Sequence, residues 1–84
     1  MNYSIFILPS AERDCKGLSK GIYSRCYKAM LGLAVNPRPH GSQKLVGEDG
    51  YRLRVGDYRI LFRVDDSVKK VFIYRIKHHK EVYR

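Results

Sequence analysis

Apolar and polar residues alternate most regularly over residues 51–84. Tyr51, Leu53 and Val55 are interleaved with Arg52 and Arg54. Gly56-Asp57 follows, and then Ile60, Phe62 and Val64 alternate with Arg59 and Arg63. After a polar turn comes a third apolar-rich run, Val71 to Ile76. A period of two predicts strands, and a Gly-Asp pair between two such runs predicts a tight hairpin. Tyr51, Leu53 and Val55 then point to one face of a sheet, and Arg52 and Arg54 to the other. Burial of one face accounts for the apolar set. It does not account for the opposite set being almost entirely arginine.

The upstream pattern completes the fold. Met1–Leu8 is rich in aromatic and β-branched residues and reads as a first strand, ended by Pro9. Ser10 is the expected N-cap of a short helix to about Gly17, with Glu12 and Asp14 near the positive end of its dipole. Ser19 caps a second helix, weakened by Gly21 in its first turn. Ile22, Cys26, Met30 and Leu33 recur at helical spacing and form one stripe, predicted to pack on the sheet, with dimerisation as the alternative use. Asn36-Pro37 ends this helix. Residues 36–50 hold two prolines and three glycines and read as a long connection, with a brief anchored segment at Lys44-Leu45. The expected fold class is α+β: an N-terminal strand, two helices, then a three-stranded antiparallel meander. If the helices cover one face, Arg52, Arg54, Arg59 and Arg63 remain on the other as a positive concavity. There is no repeat, low-complexity stretch or linker, so residues 1–84 read as a single domain.

Charge sharpens this picture. The 84 residues carry a formal net charge of +9. Residues 51–84 hold ten Lys/Arg against four acids, and residues 1–50 hold seven against four, so the excess sits in the strand region. Such a bias favours a polyanion, an acidic protein or an anionic membrane surface. No apolar run approaches the ~20 residues of a membrane span, and no secretory signal opens the chain; a cytoplasmic protein with no membrane partner is expected. Cys15 and Cys26 are eleven apart, neither a zinc spacing nor a Cys-x-x-Cys motif. Reduced thiols, and no metal or cofactor, are expected.

The chain offers no paired carboxylates, no Ser-His-Asp arrangement and no Gly-rich phosphate loop. Glu48, Asp49, Asp57, Asp65 and Asp66 fall in predicted turns. RNA cleavage needs none of those devices, because the RNA supplies its own nucleophile, the 2′-hydroxyl. The protein must position the strand, stabilise charge developing on the phosphate, and handle two proton transfers. Guanidinium groups match phosphate oxygens in two-point contacts. His78, His79 and Tyr83 are the groups in the C-terminal tail able to exchange a proton. Histidine does so near neutrality, and a tyrosine beside arginines is shifted toward phenolate. Adjacent residues of a strand point in different directions, so at most one of the two histidines acts.

Three stretches carry a resemblance to a known family: Lys44-Leu45 before a glycine-containing loop, Tyr51-Arg-Leu-Arg-Val-Gly-Asp-Tyr-Arg-Ile-Leu-Phe, and Ile76-Lys-His-His-Lys-Glu-Val-Tyr-Arg. With the N-terminal strand, the two helices and Asn36-Pro37-Arg38-Pro39, the chain resembles the RelE/ParE toxin superfamily over nearly its whole length, and the RelE branch in particular. The resemblance implies a single RelE-like toxin domain over 1–84. It implies the toxin of a type II toxin–antitoxin pair that cleaves mRNA in the ribosomal A site through 2′-hydroxyl attack, leaving a cyclic phosphate. Carried over by position, Arg52 and Arg54 hold or activate the RNA near the scissile phosphate, and Arg59 stabilises the transition state. Tyr83 orients the nucleotide and assists proton transfer. His79 stands where the family often has arginine, on the leaving-group side. Lys44, Arg63, Lys77, His78 and Lys80 are expected to contact RNA. Arginine at 52 and 54 does not lose its proton, so proton abstraction falls to Tyr83, a histidine or a ribosomal group. The implied partners are a RelB-like antitoxin, in a hetero-oligomeric complex, and the ribosome with its mRNA. Two rival readings share the fold: a ParE-type inhibitor of DNA gyrase without enzymatic activity, and an RNA-binding module without turnover.

Overall fold

In the computed structural model residues 2–82 are described, with side chains through residue 80. The elements follow in the order β1 (Ser4–Ile7), α1 (Pro9–Lys16), α2 (Lys20–Val35), β2 (Ser42–Lys44), β3 (Tyr51–Val55), β4 (Tyr58–Asp65), β5 (Lys70–His78) and the single turn α3 (His79–Val82). The sheet runs β1-β5-β4-β3-β2. The β2–β5 pairings are antiparallel, whereas β1 lies parallel to β5. The α+β class and the three-stranded meander are as the alternation predicts. The strand count is not: the connection over 36–50 contains β2, which pairs with β3 and makes the sheet five-stranded. Ser-Gln-Lys has no apolar alternation to announce it; backbone pairing with a neighbour holds it.

The helices begin as their local chemistry dictates, with one correction. Ser19 does cap α2, its hydroxyl accepting from the Ile22 amide at 3.4 Å. Ser10 does not cap α1. The N-cap is Leu8, and Pro9 takes the first helical position, where its missing N–H is no loss. The Ser10 hydroxyl instead donates to the Tyr74 carbonyl at 2.6 Å, tying α1 to β5.

Cys26, Met30 and Leu33 of α2 and Ala11 of α1 are buried against Ile60, Phe62, Val71, Ile73 and Ile76 of the sheet, and Ile22 packs beside them. The predicted stripe is therefore core. A different row, Tyr23, Tyr27, Leu31 and Val35, faces outward on α2. Ile73 and Ile76 are three residues apart and both point inward, which a regular strand forbids. A β-bulge resolves this: Leu61 pairs with Arg75 and Phe62 with Ile73, leaving Tyr74 without a counterpart.

Two glycines set the chain's course around the site. Gly56, at φ +61, makes the β3–β4 turn. Gly50 has φ +119, and a Cβ there would lie 2.7 Å from the Phe62 carbonyl oxygen. Only glycine lets β3 start this close to β4.

Beyond β1, the edge of β5 is closed by α1. The Asp14 carboxylate accepts from the Ile76 amide at 2.8 Å and from Arg75 Nε at 2.8 Å. Burial pushes its pKa up, but the Arg75 and Ile76 hydrogen bonds outweigh this and hold it below the usual carboxylate value. With both helices on one side, the other face of the sheet is left open.

Candidate functional site

Strand alternation on β3 and β4 puts Arg52, Arg54 and Arg59 on the open face. The register sets Arg54 opposite Arg59, Arg52 opposite Leu61, and Gln43 of β2 opposite Arg52. The three arginines and Gln43, with Gly41, line one cleft of about 140 Å³. Among the described residues, no acid lines it.

Each arginine is held differently. Arg59 is only 6% exposed, the one charged residue that is buried among the described residues; its Nη1 donates to the Tyr58 carbonyl at 3.2 Å. Arg52 donates through Nε and Nη2 to Gln43 Oε1, at 3.1 and 2.7 Å. Both donors on one oxygen fix the plane of the guanidinium. Arg54 is exposed, with Nε on the Gly56 carbonyl at 3.1 Å. Three positive charges in a wall whose described residues carry no carboxylate make a candidate receptor for an anion such as a phosphodiester.

The other predicted residues divide. Lys77 pairs with Arg59 across β4–β5 and adds a further positive charge to the face. His78 pairs with Tyr58 and turns the other way. Its ring meets Tyr58 edge-on at 5.3 Å and borders a separate cavity with Arg13, Asp14 and Leu18. It does not join the cleft. The His79 amide donates to the Asp57 carbonyl at 2.7 Å, next in sequence to the carbonyl that holds Arg54, so α3 starts at the hairpin end of the sheet. The two histidine rings lie 5.3 Å apart at 46°, with His78 ending β5 and His79 opening α3. Strand geometry ends at His78 and a helical turn begins at His79, so alternation no longer applies. The Lys80 amide donates to His78 Nδ1 at 3.3 Å. Lys44 and Arg63 sit apart from the cleft, bordering a cavity of about 350 Å³ with Arg38, Asp49 and Tyr51. The reading of Tyr83 falls outside the described residues.

Gln43 and Gly41 are functional-site residues that sequence pattern missed. No signal in the sequence of Ser42-Gln-Lys44 marks it as the edge strand that brings them there. A network holds the connection into β2. Arg38 donates to Asp66 from Nη1 and Nη2, at 3.2 and 2.8 Å, and from Nε to the Tyr51 hydroxyl at 2.9 Å. Arg38, with the Tyr3 hydroxyl, lowers the Asp66 pKa to about 2.

Comparison with known proteins gives a consistent picture. The family described as the ParE toxin of the type II toxin–antitoxin system, parDE, matches residues 5–83. The chain is 32% identical to a Mycobacterium tuberculosis protein named toxin RelE, over 98% of this chain and 87% of that one. It is 31% identical to toxin RelG of the same organism, over 100% and 99%. Among solved structures it is similar to a chain of the RelBE2 toxin–antitoxin complex of M. tuberculosis, with a TM-score of 0.84 and 27% identity over 93% of this chain and 99% of that one.

Proposed function

Because this chain belongs to the ParE toxin family of type II toxin–antitoxin systems, with RelE and RelG toxins as relatives, we propose that it cleaves mRNA on the ribosome. The observation that carries this reading is the cleft lined by Arg52, Arg54 and Arg59, with no acid among its described walls. A phosphodiester entering it meets guanidinium donors on several sides. The 2′-oxygen of the preceding nucleotide forms a bond to phosphorus and gives up its proton. The bond from phosphorus to the 5′-oxygen breaks, that oxygen takes a proton, and a 2′,3′-cyclic phosphate is left. Arg59, buried and fixed, stabilises the charge that grows on the phosphate oxygens. Arg52, held in plane by Gln43, and Arg54 grip the strand. No arginine takes the 2′-proton; it passes to Tyr83 or to a ribosomal group. His79 at the hairpin end supplies the leaving-group proton, and Tyr83 orients the nucleotide. The ribosome presents a single strand in one geometry, supplying a positioning role that a shallow open cleft does not.

The protein acts in the cytoplasm and is neutralised by a RelB-like antitoxin in a hetero-oligomeric complex, the kind of assembly seen for structural relatives. An antitoxin that covers the arginine face silences it. The rival is gyrase inhibition, which the ParE family description favours. It predicts accumulation of cleaved DNA–gyrase complexes with intact mRNA.

Primer extension on mRNA in programmed ribosomes, with the wild type beside Arg59→Ala, tests the proposal. The expected result is cuts inside A-site codons that disappear in the variant. A variant as active as the wild type overturns the mechanism.

A further inference from the structure

The open sheet face does not end at the arginine cleft. Arg63 lies four residues beyond Arg59 on β4, about 13 Å along the strand. The register continues the row from Arg63 to Phe72 on β5 and from Phe72 to Phe6 on β1. Cross-strand partners share a face, so Phe6 and Phe72 lie on the same side of the sheet as the arginines. Their rings stack, with centroids 5.5 Å apart at 23°. Phe6 is 40% exposed, although the opposite face offers a core in which Ile60 and Phe62 are fully buried.

Cations surround the pair. Lys70 Nζ is 5.4 Å from the Phe6 ring centroid, and the Arg63 guanidinium is 5.2 Å from the centroid of the neighbouring Tyr74. Arg63 and Phe72 border an open cavity of about 300 Å³. The two acids at its rim are engaged elsewhere: Asp66 by Arg38 and Tyr3, and Asp65 by Ser67. Aromatic rings flanked by Lys and Arg, on the same sheet face as an arginine-lined cleft, are the arrangement that binds single-stranded nucleic acid by base stacking and backbone attraction.

We propose that the Phe6–Phe72 pair is a stacking subsite for one base of the RNA strand whose scissile phosphate enters the arginine cleft. This rests on the RNA-cleaving reading above. A base flanking the cut stacks on the rings, and Lys70 turns from Phe6 to the adjoining phosphate. The subsite contributes to holding the strand and leaves the chemical step to the arginines.

The test compares wild type, Phe6→Leu, Phe6→Trp and Arg59→Ala in cleavage of ribosome-bound mRNA, with thermal melts alongside. Phe6→Leu keeps an apolar side chain but removes the π-face. It is expected to raise the toxin concentration for half-maximal cleavage about tenfold with the maximal rate unchanged, and Phe6→Trp restores the wild-type value. Abasic replacement at each mRNA position flanking the cut is expected to weaken the wild type at one position and to leave Phe6→Leu indifferent there. Phe6→Leu equal to wild type, while Arg59→Ala is inactive, overturns the subsite and leaves the nuclease reading standing. A Phe6→Leu protein with normal cleavage but weakened antitoxin binding overturns it in favour of a protein contact. Absence of RNA cleavage by the wild type overturns both readings.

Discussion

The two faces of the sheet arise from the same alternation and obey different demands. On the helix-covered face Ile60, Phe62, Val71 and Ile73 are fully buried, and Ile76 nearly so. Size and hydrophobicity decide those positions, and they would look similar in any protein of this architecture. On the open face stand Arg52, Arg54, Arg59, Arg63 and Lys77, which packing does not require. The contrast is sharpest between neighbours: Phe62 is buried by the core, and Arg59, three residues earlier, lines the cleft at 6% exposure. A guanidinium held out of water is expensive.

The comparison predicts that the two faces fail differently. Phe62→Ala removes the largest fully buried side chain and is expected to cost about 3–5 kcal/mol. That is a large part of the ~5–15 kcal/mol available to a small domain. Urea unfolding reads it directly, and any activity should fall only in proportion to the folded fraction. Arg59→Ala is expected to leave a folded protein that cleaves about 10²–10³-fold more slowly. Arg59→Lys should not restore the rate, since an ammonium replaces a planar fork by a point charge. A lysine variant with full activity would show that charge alone suffices at this position.

The same contrast explains what the sequence made legible. Regular elements whose side chains enter the core announce themselves: β3, β4, β5 and the Ile22, Cys26, Met30, Leu33 stripe of α2 were readable because burial imposes a period. The arginine face was readable as the complement of that period. Elements held by backbone bonds or by single polar contacts were silent. Nothing in Ser42-Gln-Lys44 marks a strand, so β2 and the Gln43 carboxamide under Arg52 were missed. Ser10 looked like a cap because its type is right, but Pro9 had already taken the first helical position.

Gln43 tests whether the polar face is preorganised or merely charged. Gln43→Ala removes the acceptor of both Arg52 bonds and leaves every charge in place. If orientation matters, cleavage falls about tenfold, less than for Arg59→Ala, and Gln43→Glu keeps the acceptor while adding a negative charge to the phosphate's path. An unchanged rate in Gln43→Ala would mean that Arg52 contributes charge without direction.

The smallest expected effect lies at the seam between the two faces, where Asp14 closes the β5 edge. Its folded-state pKa is below the unfolded carboxylate value, so its contribution is present above the unfolded pKa of ~3.9 and is lost as pH falls through the folded value. Asp14→Asn retains an acceptor for the Ile76 amide but not the charge facing Arg75. Urea midpoints should therefore show the wild type modestly more stable at pH 7, with the gap closing as the pH is lowered past ~4. RNA cleavage at neutral pH should be the same for both, because Asp14 joins α1 to β5 and does not line the arginine cleft. A gap that persists at low pH would assign the stabilisation to hydrogen-bond geometry rather than to charge. A loss of cleavage in Asp14→Asn would show that the edge of β5 transmits strain across the sheet to Lys77 and Arg59, and that the two faces are less independent than their burial implies.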